Sequence, residues 1–269
     1  MSYGRQASRQ SLVPASAPDF LDQVSVAGHG WLQGHHGLIA DQFVSMDVVL
    51  SDGSAKTVTA ESDPDLWWAL RGAGHNFVIV NDICHRQDSN WKIHLERIPT
   101  WLPGLISMDA PPCQKLDANN IRFPLYLESY NITAVRKVYG MFAATLRDTP
   151  EFASSMFLFE HYPRQGLQKG KNEDSAFAFR NDGILATPLI SFRPGKKDID
   201  GLAIVLGEAL RTALHNGSKR RTMHTYVNYA FRDSPDEMYG EENWRREKLA
   251  ALKAKYDPNG RFNFYNPVV

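Results

Sequence analysis

The sequence predicts an α+β protein, because short β-rich runs and amphipathic helical segments alternate along the chain without an internal repeat. Hydrophobic residues make up 43% of the chain and charged residues 22%, values typical of a soluble globular protein and not of a disordered one. The 269 residues suffice for one large domain or two small ones. No run approaches the roughly 20 apolar residues that a membrane helix needs.

Composition also excludes several classes of function. The 30 basic residues balance 30 acidic residues, which argues against a dedicated nucleic-acid binder. Two cysteines, Cys84 and Cys113, exclude a disulfide framework and a multi-cysteine zinc site, and the sequence leaves open whether they pair. Residues 1–23 are expected to form a flexible tail. They lack the apolar segment of a secretory signal, so the default expectation is a cytoplasmic protein.

The first half of the chain predicts three strands and one helix. The strands are expected at 43–50, 56–59 and 77–80. Asp52-Gly53 predicts a hairpin between the first two. Asp63 and Pro64 predict the start of a short helix that ends before Gly72. The Gly- and His-rich stretch before residue 43, and residues from 81 to about 118, have no steady period and are expected to be irregular.

In the second half, Thr133 is predicted to cap a helix, and a second amphipathic helix is predicted to stop at Gly217. The expected apolar stripes are Val135, Val138, Tyr139, Phe142 and Leu146 on the first helix, and Leu202, Val205, Leu206, Ala209, Leu210 and Ala213 on the second. Strands are expected at 156–159, 184–192 and 223–231, with a last helix at about 241–256. Pro188 is expected to place its strand at an edge or bulge.

Most candidate chemistry finds no support in the sequence. His29, His35, His36 and His75 have no partner cysteine or HExxH motif, so no metal site is predicted. No GxSxG elbow or cysteine signature is present. Glycines crowd two short loops, which suits either backbone approach to a ligand or plain turns. Neither loop is a Rossmann or Walker motif.

Long ordered blocks of the chain resemble fungal FAD-linked oxidases of the berberine bridge enzyme-like (vanillyl-alcohol oxidase or PCMH-type) family. These blocks are GHGWLQGHHGLIAD (28–41), DPDLWWALRGAGHNF (63–77), HTYVNYAF (224–231), YGEENW (239–244) and LKAKYDPNGRFNFYNP (252–267). The resemblance covers residues from about 24 to 80 and 120 to 269. It implies an incomplete PCMH-type FAD-binding domain at 24–81, a reduced substrate domain at 82–220 and a C-terminal segment at 221–269 that returns to the FAD domain.

The resemblance further implies an FAD-dependent oxidoreductase of fungal secondary metabolism, acting by hydride transfer on a small-molecule substrate, with no nucleic-acid or membrane partner. The first glycine loop would pass along the flavin, the second would lie near its phosphate, and the C-terminal tyrosines would reach its ring edge. The implied cofactor-binding residues are Gly28, Gly30, Trp31, Gly34, Gly37, Asp41, Gly72, Gly74, Asn76, Tyr226, Asn228 and Tyr229.

The chain also departs from the family pattern. The N-terminal block with the flavin-attaching histidine is missing, and no cysteine precedes Cys84, so any FAD is expected to be non-covalent. Part of the substrate domain is expected to be deleted after Phe77, which favours self-association or a partner chain. No catalytic base is identified, since Arg180 and Asp182 are the nearest polar groups. The alternative is an inactive or non-redox relative that acts as a binding or cyclisation-guiding module.

Overall fold

The computed structural model describes residues 27–30, 33–85, 118–195, 198–218 and 220–269, and in that part the chain is α+β as expected. The predicted N-terminal tail, Trp31 and Cys113 lie outside the described residues. The strands are β1 (Phe43–Leu50), β2 (Ala55–Val58), β3 (Val78–His85), β4 (Asn119–Arg122), β5 (Leu125–Leu127), β6 (Met156–His161) and β7 (Ile184–Phe192). The helices are α1 (Gln33–His36), α2 (Pro64–Leu70), α3 (Ile132–Asp148), α4 (Ile199–Ser218), α5 (Pro235–Tyr239) and α6 (Asn243–Tyr256).

The first sheet has the antiparallel order β2-β1-β3. The predicted hairpin is confirmed, and so is the capped helix, since Asp63 Oδ1 accepts the Leu66 N–H at 3.2 Å. The Gly- and His-rich stretch is more regular than expected, because it forms α1 and a 3-10 turn at Ile39–Gln42. The expectation of irregular structure from residue 81 is also wrong at its start, because β3 continues to His85 along β1.

The second sheet is built around β7, which pairs with β4 and β5 on one side and with β6 on the other. The predicted edge position of Pro188 is therefore wrong. Pro188 lies where β4 ends and β5 begins, and its carbonyl accepts the Phe123 N–H at 3.0 Å. The missing N–H of Pro188 points to the same side, into the break between the two short strands. A proline is tolerated there because the ladder is already interrupted.

Helices α3 and α4 cover one face of this sheet, and their ends and their burial correct three predictions. The cap of α3 is Asn131 and not Thr133, since Asn131 Oδ1 accepts the Ala134 N–H at 3.1 Å. Gly217 does not stop α4, which continues to Ser218; a Cβ at Gly217 would lie 2.4 Å from Ala134 Cβ, so this glycine lets the helices approach. The predicted stripes are only partly buried, because the side chains of Tyr139, Leu202 and Val205 are exposed.

The C-terminal segment folds back over the first sheet without the predicted strand. Residues 223–231 form turns and irregular backbone, because their backbone groups bond singly to different segments: the His224 carbonyl accepts the Tyr126 N–H, and the Thr225 N–H donates to the Glu237 carbonyl, both at 2.8 Å. Helix α6 begins at Asn243, two residues later than expected. Glu242 therefore precedes the helix and contacts Arg245 three residues on, at 3.3 Å.

Two hydrophobic cores result. The larger contains the first sheet, α2, α6 and the C-terminal segment, and the smaller contains the second sheet with α3 and α4. Strand β7 joins both cores: Leu185 belongs to the first core, whereas Ile184 and Ala186 belong to the second. None of the helices within the described ranges combines the length and apolar character that crossing a membrane requires.

The contact between α4 and Phe123 generates a stability prediction. A Cβ at Gly207 would lie 2.0 Å from the Phe123 ring, whereas a Cβ at Gly201 in the same helix meets nothing within 4 Å. We expect Gly207→Ala to lower the free energy of unfolding by about 1–3 kcal/mol through overpacking. The matched Gly201→Ala should leave it unchanged or raise it by up to about 1 kcal/mol. Urea unfolding measures both, and equal effects of the two substitutions would contradict the packing.

Candidate functional site

Aromatic rings surround His29 where the first glycine loop meets the second sheet. The His29 ring stacks on Tyr162 with centroids 4.5 Å apart and lies 4.9 Å from the Tyr226 ring. Tyr126, from β5, is 2.7 Å from His29 Nε2 through its hydroxyl. Burial lowers the pKa of His29 to about 4, although the hydrogen bond to Gln33 acts in the opposite direction. His29 is therefore neutral near pH 7.

A chain of hydrogen bonds fixes the orientation of the His29 ring. The Gln33 amide N–H donates to the Pro163 carbonyl at 3.2 Å, so its Oε1 faces His29 Nδ1 at 2.6 Å. An amide oxygen only accepts, so Nδ1 carries the proton. Nε2 is then the acceptor for the Tyr126 hydroxyl. With this assignment, both ring nitrogens of His29 and the Gln33 amide oxygen have a hydrogen-bond partner.

Tyrosine hydroxyls dominate the rest of this cluster. Burial raises the pKa of the Tyr226 phenol, although the nearby His29 backbone and Asn228 side chain act in the opposite direction. Burial also raises the pKa values of Tyr126 and Tyr162. The Tyr229 ring lies 5.1 Å from that of Tyr226. These phenols stay protonated at neutral pH and present hydroxyl donors and flat apolar rings together.

One carboxylate, that of Glu160, lies among these tyrosines, and the sequence analysis missed it. Glu160 on β6 pairs with Leu185, which pairs with Tyr126 on β5, so the three residues form one row across the sheet. Glu160 Oε1 accepts the Tyr162 hydroxyl at 2.7 Å. The expected strand stopped at Phe159, one residue too early. Extending its period-two alternation would have placed Glu160 on the inner face with Leu158.

The polar groups that the sequence did single out are bound into ion pairs. Asp41 receives two hydrogen bonds from the buried Arg180, at 2.7 and 2.8 Å. Asp182, equally buried, pairs with Arg220, and its Oδ2 lies 2.8 Å from His224 Nδ1. Such pairs hold loops in place, because breaking a buried pair leaves an uncompensated charge. They leave neither carboxylate free to act on a substrate.

Two of the predicted glycines make room for the chain itself. At Gly72, where φ is +140°, an added Cβ would lie 2.3 Å from the backbone nitrogen of Phe177. At Gly37, where φ is +82°, it would lie 2.5 Å from Asp41 Oδ2. Both positions need glycine for backbone conformation and for close approach of a neighbouring segment. The space that a side chain would need at either position is filled by protein.

The remaining predicted site residues fall into two groups. Gly28 and Gly30 flank His29 in the aromatic cluster, and Gly34 in α1 lies against Pro163. Gly74 and Asn76 instead lie beside the C-terminal segment, where Asn76 Oδ1 accepts the Val268 N–H at 3.1 Å. The structure thus brings Gly28, Gly30, Tyr226, Asn228 and Tyr229 together. It places Asn76 at a structural junction.

Within the described ranges, no group of three or more His, Cys, Asp or Glu side chains is arranged to hold a metal ion. Within these ranges, the histidines of the first glycine loop are not arranged around a metal position either. His29 is held by Gln33 and Tyr126, and His35 and His36 lie 6.2 Å apart as ring centroids in α1. The titratable groups that the described residues place around His29 are the phenols, the neutral imidazole and the Glu160 carboxylate.

Comparison with known proteins identifies relatives of this arrangement. Residues 225–268 match the family described as berberine and berberine like. The FAD-linked oxidoreductase chyH of Penicillium rubens is 34% identical over 327 aligned residues, covering 90% of this chain and 65% of that protein. The FAD-linked oxidoreductase chry5 of Gibberella zeae is 35% identical, covering 90% of this chain and 64% of that protein.

Solved structures share the fold at low identity. The carbohydrate oxidase from Microdochium nivale superposes with a TM-score of 0.68 at 18% identity, over 99% of this chain and 73% of that one. BBE-like #28 from Arabidopsis thaliana gives a TM-score of 0.66 at 12% identity, over 92% of this chain and 71% of that one. At such identities the likeness concerns the fold.

These findings place the chain in a class, the PCMH-type fold of flavin-dependent oxidases. By sequence it is similar to fungal FAD-linked oxidoreductases, and its residues 225–268 carry the domain described as berberine and berberine like. It spans about 65% of the length of these relatives. The aligned 90% of this chain is about 242 residues. The alignment with chyH has 327 positions, so at about 85 of them the relative has no counterpart in this chain. An internal shortening of this kind was expected from the sequence.

The burial of His29 generates a pH prediction. Its pKa is about 4 in the folded state and 6.5 without burial, so the unfolded chain binds more protons between these values. The free energy of unfolding should therefore fall as the pH drops from about 6.5 to 4, with a His29 share on the order of 1–3 kcal/mol. His29→Gln should flatten this slope in urea unfolding at several pH values. The exposed His161→Gln should not, and equal slopes in all three proteins would refute the assignment.

Proposed function

We propose that this protein is an FAD-linked oxidoreductase that oxidises a small organic substrate by hydride transfer to the flavin. The observation that carries the proposal is the wall of neutral rings and hydroxyls around His29, set between the two cores of a fold shared with flavin-dependent oxidases. This wall suits the isoalloxazine ring, which is flat, apolar on its faces and polar at its edge.

The donor set supports binding of the ring end of the cofactor. His29, Tyr162 and Tyr226 offer flat surfaces, and Tyr226 and Asn228 offer polar groups at the edge. Burial keeps the imidazole and the phenols uncharged, so no buried ion has to be desolvated when a planar ligand enters. These residues, with Gly28 and Gly30, would hold the cofactor without a covalent bond.

The glycine loops do not fit the diphosphate end in the same way. The space in front of Gly37 and Gly72 is taken by Asp41 and by the Phe177 backbone. This observation favours the second candidate, a family member that acts as a non-redox binding module, alone or completed by self-association or a partner chain. The two candidates differ in one measurable property, the retention of FAD.

Glu160 is the group that we assign as proton acceptor in the oxidation. For an alcohol substrate, the hydroxyl proton would pass to Glu160 while the carbon loses a hydride, which leaves a carbonyl product. Bound FAD would supply the two-electron acceptor, with dioxygen reoxidising it. The Tyr162 hydroxyl donates to Glu160 Oε1, and Glu160 shares a row of the sheet with Leu185 and Tyr126.

The first test is a visible absorption scan of the purified protein, before and after FAD is added and the excess removed. We expect flavin bands that survive desalting, and an at least tenfold weaker affinity in Tyr226→Phe, which loses the buried hydroxyl near His29 and Asn228. Tyr139→Phe is the matched control, since that side chain is 73% exposed. A colourless wild-type protein would reject the oxidoreductase and leave the non-redox module.

The second test concerns Glu160 in the flavin-loaded protein. With the alcohol or amine that the wild type oxidises fastest in an oxygen-consumption screen, Glu160→Gln should lower the rate of flavin reduction at least about 100-fold, because a general base contributes 10²–10⁴-fold. The flavin spectrum should be unchanged. The exposed Glu247→Gln serves as control. A wild-type rate in Glu160→Gln would show that another group accepts the proton.

A further inference from the structure

The inner face of the second sheet has a closed end and an open end. At the closed end, Tyr126 and Leu185 are buried against the first core. Four residues further along β7 lies the row formed by Arg122, Leu189 and Met156. Arg122 is half-buried and Met156 is 37% exposed. The two flanks of this row are therefore accessible from solvent, whereas Leu189 at its centre is buried.

Arg122 is a cation without a counterion among the described residues. Its one interaction there is with the Tyr229 ring, whose centroid lies 5.0 Å from the guanidinium carbon. Three other arginines of this half of the chain behave differently: the buried Arg180 pairs with Asp41, the buried Arg211 with Asp233 and the half-buried Arg220 with Asp182. A half-buried guanidinium on the face of a site, with its fork of five donors unused, is suited to bind a carboxylate.

A second unsatisfied group lies on the same face. Thr187 on β7 is fully buried, and within the described ranges its Oγ1 has no hydrogen-bond partner. By register it lies beside Leu158, between the Glu160 row and the Arg122 row. Buried hydroxyls without a partner are uncommon in folded proteins, and each calls for an explanation. A polar ligand between the two rows would supply one.

The structure assigns Arg122 as a specificity-determining residue that binds the carboxylate of an organic acid substrate, while the carbon to be oxidised lies toward Glu160. The assignment rests on the proposed function for the identity of the site, but anion binding itself needs no turnover. The two rows are four residues apart, about 13 Å along the strand. Because both side chains reach into the gap, the acid needs a spacer such as one aromatic ring between its carboxylate and the reacting carbon.

A matched pair of probes tests this assignment: 4-(hydroxymethyl)benzoate and its uncharged analogue 4-(hydroxymethyl)benzamide. Isothermal titration of the flavin-loaded wild type should give an at least tenfold preference for the acid over the amide. Arg122→Met should reduce the preference to within threefold by weakening acid binding alone. Arg122→Lys, which keeps the charge but not the fork, should retain part of it. Arg136→Met, at an exposed position on α3, should bind both probes like the wild type.

The outcomes separate this inference from the function on which it rests. If FAD is retained but the wild type does not prefer the acid, or Arg122→Met keeps the preference, the inference is wrong and the oxidoreductase stands. If Arg122→Met shifts the pH profile of flavin reduction and leaves the preference intact, Arg122 acts on Tyr229 and not on substrate. If FAD is not retained, the proposed function fails by its own test, and a preference for the acid in the flavin-free protein would still support the anion site. Should Arg122→Met fold poorly, the wild-type and Arg122→Lys preferences decide.

Discussion

The strict alternation of side chains along β7 is the constraint on which the rest of the structure depends. All nine residues of this strand are buried, and partner strands pair with it on both sides. Successive side chains of a strand point to opposite faces, so one set packs under α3 and α4 while the other faces the first core. A shift of register by one residue would exchange the two sets, placing Thr187 in the helical core and Ile190 at the site.

Hydrogen bonding gives the junction between the cores a specificity that apolar packing lacks. The bonds from Gln33 to Pro163, from His29 to Gln33 and from Tyr126 to His29 link the glycine loop to both β5 and the segment after β6. Each donor has one acceptor, so sliding one core over the other would leave buried polar atoms without a hydrogen-bond partner. The loop is thereby held at one position relative to the Glu160 row. The same bonds fix which nitrogen of His29 carries the proton, so the position of the ring and its protonation are set together.

The sequence predicted this fold best where local pattern and tertiary environment agree. Strand β1 and helix α2 have their own turn and cap residues, and β7 is apolar enough to be recognised despite Pro188. Prediction from the sequence failed where tertiary contacts override local preference. Gly217 looks like a helix stop but serves helix packing, and residues 223–231 look like a strand but bury their rings without a ladder. Glu160 was missed because a carboxylate at the end of an apolar run resembles a strand terminus.

Glycine shows why a site is harder to predict than a fold. A glycine-rich loop indicates that the backbone comes close to another group, but it does not identify that group. At Gly72 the neighbour is the Phe177 backbone, and at Gly37 it is a carboxylate that Arg180 already neutralises. The resemblance to flavin enzymes assigned both positions to the cofactor, together with Gly28 and Gly30. An added Cβ at Gly28 would lie 3.0 Å from the Ile39 side chain, whereas one at Gly30 would lie 3.5 Å from it, in ordinary contact. A glycine is evidence for a ligand only when no protein segment already occupies the space in front of it, and that is a property of the assembled chain. The wall of rings around His29 is built from side chains that the glycine pattern alone could not indicate, so the proposed site depends on where β5, the segment after β6 and the C-terminal segment bring their tyrosines.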